Sequence, residues 1–457
     1  MPNLDPNITK HMLRVIGVES IEALFQDIPK DIMYTKELRI PEARSELEVE
    51  RHLEELLSKN KTYPEQLCFL GGGVWHHHVP AAVDAIASRS EFYTSYTPYQ
   101  AEISQGLLQA LFEYQSLICD LTGMDVANSS MYDWATSLGE AARMAYRVTK
   151  RKKIIVSRNV GPERINVLKT YCNPLNMLVQ VVDFNHMTGE ADINRLSKAI
   201  DDEVAATYLE NPNFFGVLEQ NAAEVGELVH RCGSLYIVGV EPTSLGILRP
   251  PGEYGADVVV GEGQPLGLHM NFGGPLLGIY AIKESDLLLR QMPGRIVGLT
   301  TTKDGRERGF TMVLQTREQH IRRERATSNI CTNQALCAIR VAAYLSLLGA
   351  EGLRSLSETV LANSHYAARI LSQIKGVKSP LFTASFFKDF AVGLEKLTMS
   401  TEDLFLILAE NGVEAALPLG RYFEDFKDAV LFSVTEVHTI RDIQRLAEVL
   451  EKVLGVA

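Results

Sequence analysis

The fold of this 457-residue chain is decided by the stretch Gly255-Ala-Asp-Val-Val-Val-Gly-Glu-Gly-Gln264-Pro-Leu-Gly267. The stretch combines a short apolar run with a polar turn that contains Gln264, and the glycine-rich segment Phe272-Gly-Gly-Pro275 follows it. A short apolar run bounded by turn residues is typical of a strand that is buried on both faces. No lysine lies between Tyr254 and Ile282. No side chain here can therefore form a Schiff base with a carbonyl compound.

Similar apolar runs precede this stretch, and amphipathic segments such as 193–200 and 224–232 lie between them. The predicted strands are 153–157, 177–182, 205–209, 234–238 and 257–260. Strands that alternate with helices predict an α/β domain whose mostly parallel sheet carries helices on both faces. Ligands of such sheets bind beyond the carboxyl ends of the strands.

The order of strand, polar turn and glycine-rich loop resembles that of fold-type I pyridoxal-phosphate (PLP) enzymes. In those enzymes the lysine that holds the cofactor usually sits in the polar turn, where this chain has Gln264. The resemblance implies a PLP-transferase-like fold. The missing lysine predicts that this chain binds no cofactor covalently and that a partner performs the chemistry.

Three regions are predicted along the chain. Residues 1–65 form a helical N-terminal arm, in which Ser45 and Glu48 have the spacing of a capping box. Residues 66–315 form the large PLP-transferase-like domain. Residues 316–457 form an interdomain helix, predicted from 327 to about 375, and a small α+β domain.

Composition excludes several classes of function. A net charge of -12 and a pI near 5.5 argue against nucleic acid and against an anionic membrane surface as partners. No apolar run approaches the roughly 20 residues of a membrane span, and the N-terminus lacks a signal-peptide core. We therefore expect a cytoplasmic protein without a membrane partner.

Metal binding is not expected either. The six cysteines are scattered and contain no C-x-x-C pair, so zinc sites and disulfides are not predicted. Consecutive residues of a strand point to opposite faces, so His76, His77 and His78 cannot converge on one ion. We expect His77 to make a loop hydrogen bond instead.

A loop dense in hydroxyl groups, Tyr93-Thr-Ser-Tyr-Thr-Pro-Tyr-Gln100, precedes a predicted helix. Pro98 keeps the residue before it out of helical geometry, so Tyr96 and Tyr99 can project from a fixed turn. Phenol groups suit a pocket that orients a small polar substrate. The alternative is a packed interdomain loop whose tyrosines bury surface.

The segment Asn128-Ser-Ser-Met-Tyr-Asp-Trp134 leads into another predicted helix. The free N–H groups at a helix start can bind a phosphate. Ser129 and Ser130 lie before this start, and Trp134 lies in its first turn, where an indole would fill the space of a phosphate. The alternative is an ordinary N-cap by Ser130 or Asp133.

The glycines of the Phe272-Gly-Gly-Pro275 loop lack side chains, so Gly273 and Gly274 can approach a phosphate closely, including one held by a neighbouring subunit. A simple tight turn is the alternative.

Arginines concentrate between residues 315 and 332, and they are Arg317, Arg322, Arg323 and Arg325. They could hold a carboxylate or a phosphate. Because they alternate with Glu318 and Glu324, a surface ion-pair network is the expected outcome.

Several long stretches resemble the glycine cleavage system P-protein family, and within it the N-terminal, α-subunit type. They include Arg89-Ser-Glu-Phe-Tyr-Thr-Ser-Tyr-Thr-Pro-Tyr-Gln, Asn211-Pro-Asn-Phe-Phe-Gly, Met292-Pro-Gly-Arg-Ile-Val-Gly and Arg317-Glu-Gln-His-Ile-Arg-Arg-Glu-Arg-Ala-Thr-Ser-Asn-Ile-Cys-Thr. The resemblance runs from about residue 40 through the helical segment after Thr332, and the C-terminal domain matches more loosely.

The resemblance implies an α2β2 enzyme in which the β subunit binds PLP through a lysine. That enzyme decarboxylates glycine and passes the aminomethyl group to the lipoyl arm of H-protein. We expect this chain to support the β active site through Tyr96, Tyr99, Gln100, Gly273 and Gly274. Its own cofactor pocket would be vestigial, formed by Ser129, Ser130, Trp134 and Gln264.

Two rival interpretations remain open at this point. In the first, the chain serves as a scaffold or docking subunit with no residue near the chemistry. A self-sufficient PLP enzyme would need an unexpected lysine such as Lys283.

Three positions depart from the family pattern. The family commonly has glycine where Trp134 stands, alanine where Gly139 stands, and histidine where Gly161 precedes Pro162. Trp134 supports a pocket closed to phosphate. An active α subunit and a diverged paralogue are both compatible with these departures.

Overall fold

The computed structural model describes residues 5–455 except 35, 272, 328, 329, 331, 332, 396 and 398. The chain divides into two compact units, Met1–Lys61 and Thr62–Ala457. The first boundary therefore falls four residues before the predicted end of the arm. The predicted division of the rest at residue 315 stays a prediction.

The first unit contains α1 (Pro6–Ile16) and α2 (Glu46–Leu57). The backbone N–H of Ser45 donates to the Glu48 carboxylate at 2.8 Å, and the N–H of Glu48 donates to the Ser45 hydroxyl at 3.4 Å. These reciprocal bonds satisfy two amide groups that have no partner inside a helix. The predicted capping box is confirmed.

The second unit contains the remaining helices and all the strands of the described chain. The helices are α3 (Ala81–Ala87), α4 (Ser90–Tyr93), α5 (Gln105–Thr122), α6 (Trp134–Thr149), α7 (Pro162–Cys172), α8 (Ile193–Ala199), α9 (Ala222–Arg231), α10 (Asp286–Gln291), α11 (Gln319–Arg322), α12 (Ala335–Leu371), α13 (Thr401–Glu410) and α14 (Ile440–Val453). The strands are β1 (Leu67–Cys68), β2 (Val126–Ala127), β3 (Lys153–Ser157), β4 (Leu178–Val182), β5 (Val204–Glu210), β6 (Leu235–Val240), β7 (Val258–Glu262), β8 (Gly278–Ile282), β9 (Ile296–Thr301), β10 (Arg308–Val313), β11 (Val377–Lys378), β12 (Asp389–Leu394), β13 (Val413–Glu414), β14 (Leu417–Pro418) and β15 (Ala429–Ser433).

The central sheet has seven strands in the order β2-β8-β7-β6-β5-β3-β4. The strands from β7 to β4 pair in parallel, whereas β8 runs antiparallel to both β7 and β2. Alternate residues of β7 face different cores: Val259 belongs to the core with α5 and α12, and Val258 and Val260 belong to the core with α6. The predicted mostly parallel sheet with both faces covered is confirmed.

A second sheet, of four antiparallel strands, follows in the order β11-β12-β15-β14. Its core contains residues of α13 and α14, for example Leu404 and Ile443. The predicted strand 386–392 is observed three residues later, as β12.

The long segment α12 begins at Ala335 and not at residue 327, so the predicted helix start was too early. By length and composition, α12 is long and apolar enough to cross a membrane, contrary to the expectation from the sequence. Its backbone leaves helical geometry at Gly349, with φ 61° and ψ −175°. Val341 and Leu345 of α12 are buried in the core beneath the central sheet, so the segment supplies core packing.

Candidate functional site

The side chain of Gln264 lies just beyond the carboxyl end of β7, and it is 1% exposed. Its Nε2 group donates to the carbonyl oxygens of Trp75 at 3.0 Å and Leu268 at 2.9 Å. Its Oε1 atom accepts from the Trp75 backbone N–H at 3.0 Å. Both amide N–H groups and the amide oxygen are thus engaged, and Gln264 clamps the glycine-rich loop 71–75 against the turn after β7.

The start of α6 faces the same region, and two carboxylates of this chain already occupy it. Asp133 is the N-cap, and its Oδ1 atom accepts from the Thr136 N–H at 2.7 Å. Glu262 accepts from the Trp134 N–H at 3.3 Å. The carboxylate of Asp133 repels a second anion, and Asp133 and Glu262 together use the N–H groups that would bind it. A PLP phosphate therefore does not fit this helix start, and Asp133 rather than Ser130 is the N-cap.

Glu262 is the most perturbed carboxyl group at this place. Burial raises its pKa to about 8, although backbone N–H groups of Leu277, Gln264 and Trp134 donate to it and lower the pKa. The last residue of β7 is thus held by three amides in a dry environment.

Trp134 fills the space beside the start of α6. Its indole ring lies 4.1 Å from the guanidinium of Arg164, and its Nε1 atom donates to the Tyr208 hydroxyl at 2.9 Å. Arg164 in turn forms a buried ion pair with Glu210, with Nη2 and Oε2 2.8 Å apart. A Cβ atom at Gly161 would overlap the Arg164 guanidinium. Trp134 and Gly161 therefore serve the same side chain, because the indole ring packs on the Arg164 guanidinium and the glycine leaves space for it.

A fully buried lysine, Lys388, lies behind this pocket and was missed from the sequence. Its Nζ atom is 2.9 Å from Glu241 Oε1 and 3.7 Å from the centroid of the Trp75 ring. It is also 3.3 Å from His77, whose other ring nitrogen is 2.7 Å from Glu436. His77 thus contacts charged side chains and not loop backbone. The sequence signal was the charged pair Lys388-Asp389 between apolar residues.

A cavity of about 340 Å³ remains in front of these groups. Its walls include Gly72, Asp133, Trp134, Arg164 and Glu262. The predicted pocket residues Trp134 and Gln264 are joined through Glu262, which accepts from the backbone N–H of both.

The structure does not bring Ser129 and Ser130 into this cavity. Ser129 lines a separate small cavity together with Tyr96 and Arg295. The Ser130 hydroxyl donates to Asn333 Oδ1 at 2.7 Å. Because the chain turns between β2 and α6, Ser129 lies beside the tyrosine loop and Ser130 contacts the segment before α12.

The tyrosine loop is anchored by the buried side chain of Arg295. Its guanidinium donates to the Tyr99 hydroxyl at 2.8 Å and to Thr97 Oγ1 at 3.3 Å, and it lies 5.1 Å from the centroid of the Tyr99 ring. Tyr96 is 66% exposed, and Gln100 is exposed as well. Tyr99 thus fixes the loop, whereas Tyr96 and Gln100 present groups to the outside.

The glycine loop lies beyond β7, with φ +78° at Gly273 and +99° at Gly274. Only glycine adopts such angles without strain. Phe272 lies outside the described residues, and the nearby Leu276 lines the 340 Å³ cavity.

Lys283 lies at the other end of β7 from Gln264. It follows β8 and forms an ion pair with Asp257, which precedes β7. A lysine there is not positioned to hold a ligand beside α6. Among the described residues, no group of three or more His, Cys, Asp or Glu could hold a metal ion.

Comparisons with known proteins show the family of this chain. Residues 3–450 match the family model described as glycine cleavage system P-protein. The chain is 48% identical to the probable glycine dehydrogenase (decarboxylating) subunit 1 of Staphylothermus marinus, an alignment that covers 100% of this chain and 98% of the relative.

Two solved structures show the same fold. One is glycine decarboxylase (P-protein) of the glycine cleavage system in inhibitor-bound form, with a TM-score of 0.88, 41% identity and 98% of both chains covered. The other is Lactobacillus brevis glutamate decarboxylase, with a TM-score of 0.70, 14% identity, and 93% and 96% of the two chains covered. The second likeness concerns the fold alone. The predicted fold-type I, PLP-transferase-like architecture is confirmed.

Proposed function

The chain belongs to the glycine cleavage system P-protein family, and on that premise we propose that it is the α subunit of a glycine decarboxylase. In this proposal a β subunit holds PLP, and an α2β2 enzyme decarboxylates glycine with release of CO2. The aminomethyl group then passes to the lipoyl arm of H-protein. The name "subunit 1" of its relative supports a second kind of chain.

The hydrogen-bonded clamp of Gln264 is the observation that carries this proposal. A glutamine amide cannot form a Schiff base, and this one has no hydrogen-bonding group to spare. Asp133 and Glu262 further occupy the helix start where a phosphate would bind. The chain is thus suited to enclose and position reactants held by its partner, and unsuited to hold the cofactor itself.

Tyr96, Gln100, Gly273 and Gly274 are the proposed contributions to the partner's active site. All four belong to loops, and Tyr96 combines an exposed phenol with a loop that Arg295 fixes through Tyr99. A fixed loop can orient a substrate and exclude water at small cost in entropy. Tyr99 contributes by holding this loop.

Glycine–bicarbonate exchange tests the proposal. The assay combines the purified chain, its β partner, H-protein, PLP and glycine. We expect exchange only when both subunits are present. Exchange by this chain alone would contradict the division of labour between the subunits.

Two tyrosine variants test the site within that assay. We expect Tyr96→Phe to lower the exchange rate by about tenfold, which corresponds to one lost hydrogen bond of roughly 1.4 kcal/mol. Tyr93→Phe is the matched control, because Tyr93 ends α4 directly before the same loop and is 70% exposed. Equal rates for the two variants would instead favour a scaffold or docking role without residues near the chemistry.

A further inference from the structure

A second large cavity, of about 420 Å³, lies among α6, α10 and the segment from 314 to 327. Five arginines line it, and no aspartate or glutamate is among the described residues of its wall. The five are Arg147, Arg290, Arg317, Arg322 and Arg325. None of the residues that line it also lines the cavity beside Gln264. So many positive charges are unexpected in a chain whose net charge is -12.

Arg317 forms the buried floor of this cavity, and neutral groups hold it. Its Nε atom donates to the Leu314 carbonyl at 3.2 Å, and its Nη2 atom donates to the Gly294 carbonyl at 3.1 Å. Its Nη1 atom donates to the carbonyl of Met292. These carbonyls fix the position of the guanidinium without neutralising its charge. Burial accordingly lowers the pKa of Arg317.

Arg147 is held in the same manner from α6. Its Nε and Nη2 atoms donate to the side-chain and backbone oxygens of Gln291, at 3.0 Å and 2.9 Å. Gln291 is neutral, so this cation also lacks a carboxylate at contact distance within the described chain. Two oriented guanidinium groups thus face one space without a carboxylate in contact in the described chain, and Glu140 and Glu318 act on Arg147 and Arg317 only from a greater distance.

The mouth of the cavity carries the exposed arginines. Arg322 donates to the Thr316 carbonyl at 3.1 Å, and no carboxylate oxygen in the described part of the chain lies within 4 Å of Arg290 or Arg322. Arg325 is 3.7 Å from Glu324, but both side chains are about 80% exposed, and such pairs contribute little. The predicted surface ion-pair network is therefore wrong for Arg317 and Arg322.

We propose that this cavity binds a small polyanion that carries two or more phosphate or carboxylate groups. The planar guanidinium group of arginine binds phosphate and carboxylate groups through paired N–H···O bonds. Gathering five like charges, of which only Arg325 has a carboxylate within 4 Å in the described chain, is costly, and an anionic ligand would offset that cost. The volume lies within the range of small-molecule sites, roughly 300–1,000 Å³. The inference does not depend on glycine decarboxylation by the complex.

Calorimetric titration of the full-length chain with inorganic pyrophosphate tests the proposal, and citrate serves as the polycarboxylate arm. We expect saturable binding of one molecule per chain, both for the chain alone and for its complex with the β partner. Binding of pyrophosphate but not of citrate identifies a phosphoryl ligand. Binding of citrate but not of pyrophosphate identifies a polycarboxylate. Either result supports the site.

Charge-removing variants locate the site. We expect Arg290→Gln combined with Arg322→Gln to weaken binding by at least about tenfold, since two charge-assisted contacts are removed. Both side chains are exposed, so folding is not at stake. Arg231→Gln is the matched control, because Arg231 is an exposed arginine at the end of α9 without an ion pair in the described structure.

Three outcomes would overturn the proposal. The first is the lack of saturable binding of either anion up to about 10 mM, a concentration at which a specific site should fill. The second is an equal loss of affinity in the Arg231→Gln control, which would indicate non-specific attraction. The third is binding by the free chain that disappears in the complex, which would assign the arginines to the contact between subunits.

Discussion

At position 264, the buried amide of Gln264 has a structural task. Trp75 and Leu268 both depend on it for hydrogen bonds. A lysine at this position would leave the Trp75 N–H without its acceptor. The amide of Gln264 thus holds the loop 71–75 in place.

Replacement of Gln264 by methionine, which has similar size, should destabilise the chain by about 3 kcal/mol. Three buried backbone groups would lose their partners, and each such loss costs roughly 1–3 kcal/mol without full additivity. The control is Gln66→Met, because Gln66 is buried but donates one long bond, to Ala409 at 3.3 Å. Urea unfolding measures both variants. Equal destabilisation would contradict the clamp.

The carboxyl group of Glu262 should make stability depend on pH. Burial raises its pKa from 4.5 to about 8 in the folded chain. The folded chain therefore keeps a proton that the unfolded chain releases. The stabilising contribution is complete below pH 4.5 and is lost as the pH rises through 8, with a slope of at most about 1.4 kcal/mol per pH unit.

Glu262→Gln removes this titration. We expect the free energy of unfolding of the unmodified chain to fall, relative to that of the variant, between pH 5 and pH 8. Urea unfolding at several pH values measures the difference. Parallel pH profiles for the two proteins would show that Glu262 does not change its protonation in this range.

At the scale of single elements, α6 carries a glycine whose role is packing. A Cβ at Gly139 would lie 2.5 Å from Cγ of the Tyr171 ring on α7, so the ring would have to shift. Gly106 near the start of α5 is the contrasting case, because nothing lies within 4 Å of its Cβ position.

The two glycines should therefore respond to alanine in opposite directions. Gly106→Ala should stabilise the chain by about 0.5–1 kcal/mol, the usual gain for a helix. Gly139→Ala should destabilise it by about 1–3 kcal/mol, since overpacking outweighs that gain. Thermal unfolding measures both. Stabilisation by Gly139→Ala would show that α6 and α7 pack less tightly than described.

The strands of the central sheet could be predicted from the sequence because each is a short apolar run between turn residues. The observed β3 matches its predicted bounds, and β4 to β7 begin or end within two residues of theirs. The start of α12 could not be predicted from the sequence. The polar residues before Ala335 do not interrupt the periodic pattern of the predicted helix, so they gave no sign that the helix begins only at Ala335.

Much of the candidate site could not be predicted, because its contacts join residues far apart in the chain. Arg164 and Glu210 are 46 residues apart, and Arg295 and Tyr99 are 196 apart. Local patterns placed Trp134 and Gln264 correctly at a helix start and a strand end. They could not show that Ser129 faces Tyr96, or that Lys388 reaches Trp75.

At the scale of the whole molecule, the chain has the fold of PLP enzymes, and its own side chains pack around the start of α6 and the turn after β7. Trp134, Arg164 and Glu210 occupy one side, and Gln264 closes the other. This supports the proposal that reactivity resides in a partner and that this chain provides loops which enclose it.

Locating the cofactor in the assembled enzyme tests this central claim most directly. The chain and its β partner are incubated with PLP, separately and together, then reduced with borohydride and analysed by peptide mass spectrometry. The account predicts a pyridoxyl group on a lysine of the β chain and none on this chain. A stoichiometric pyridoxyl group on any lysine of this chain would contradict it.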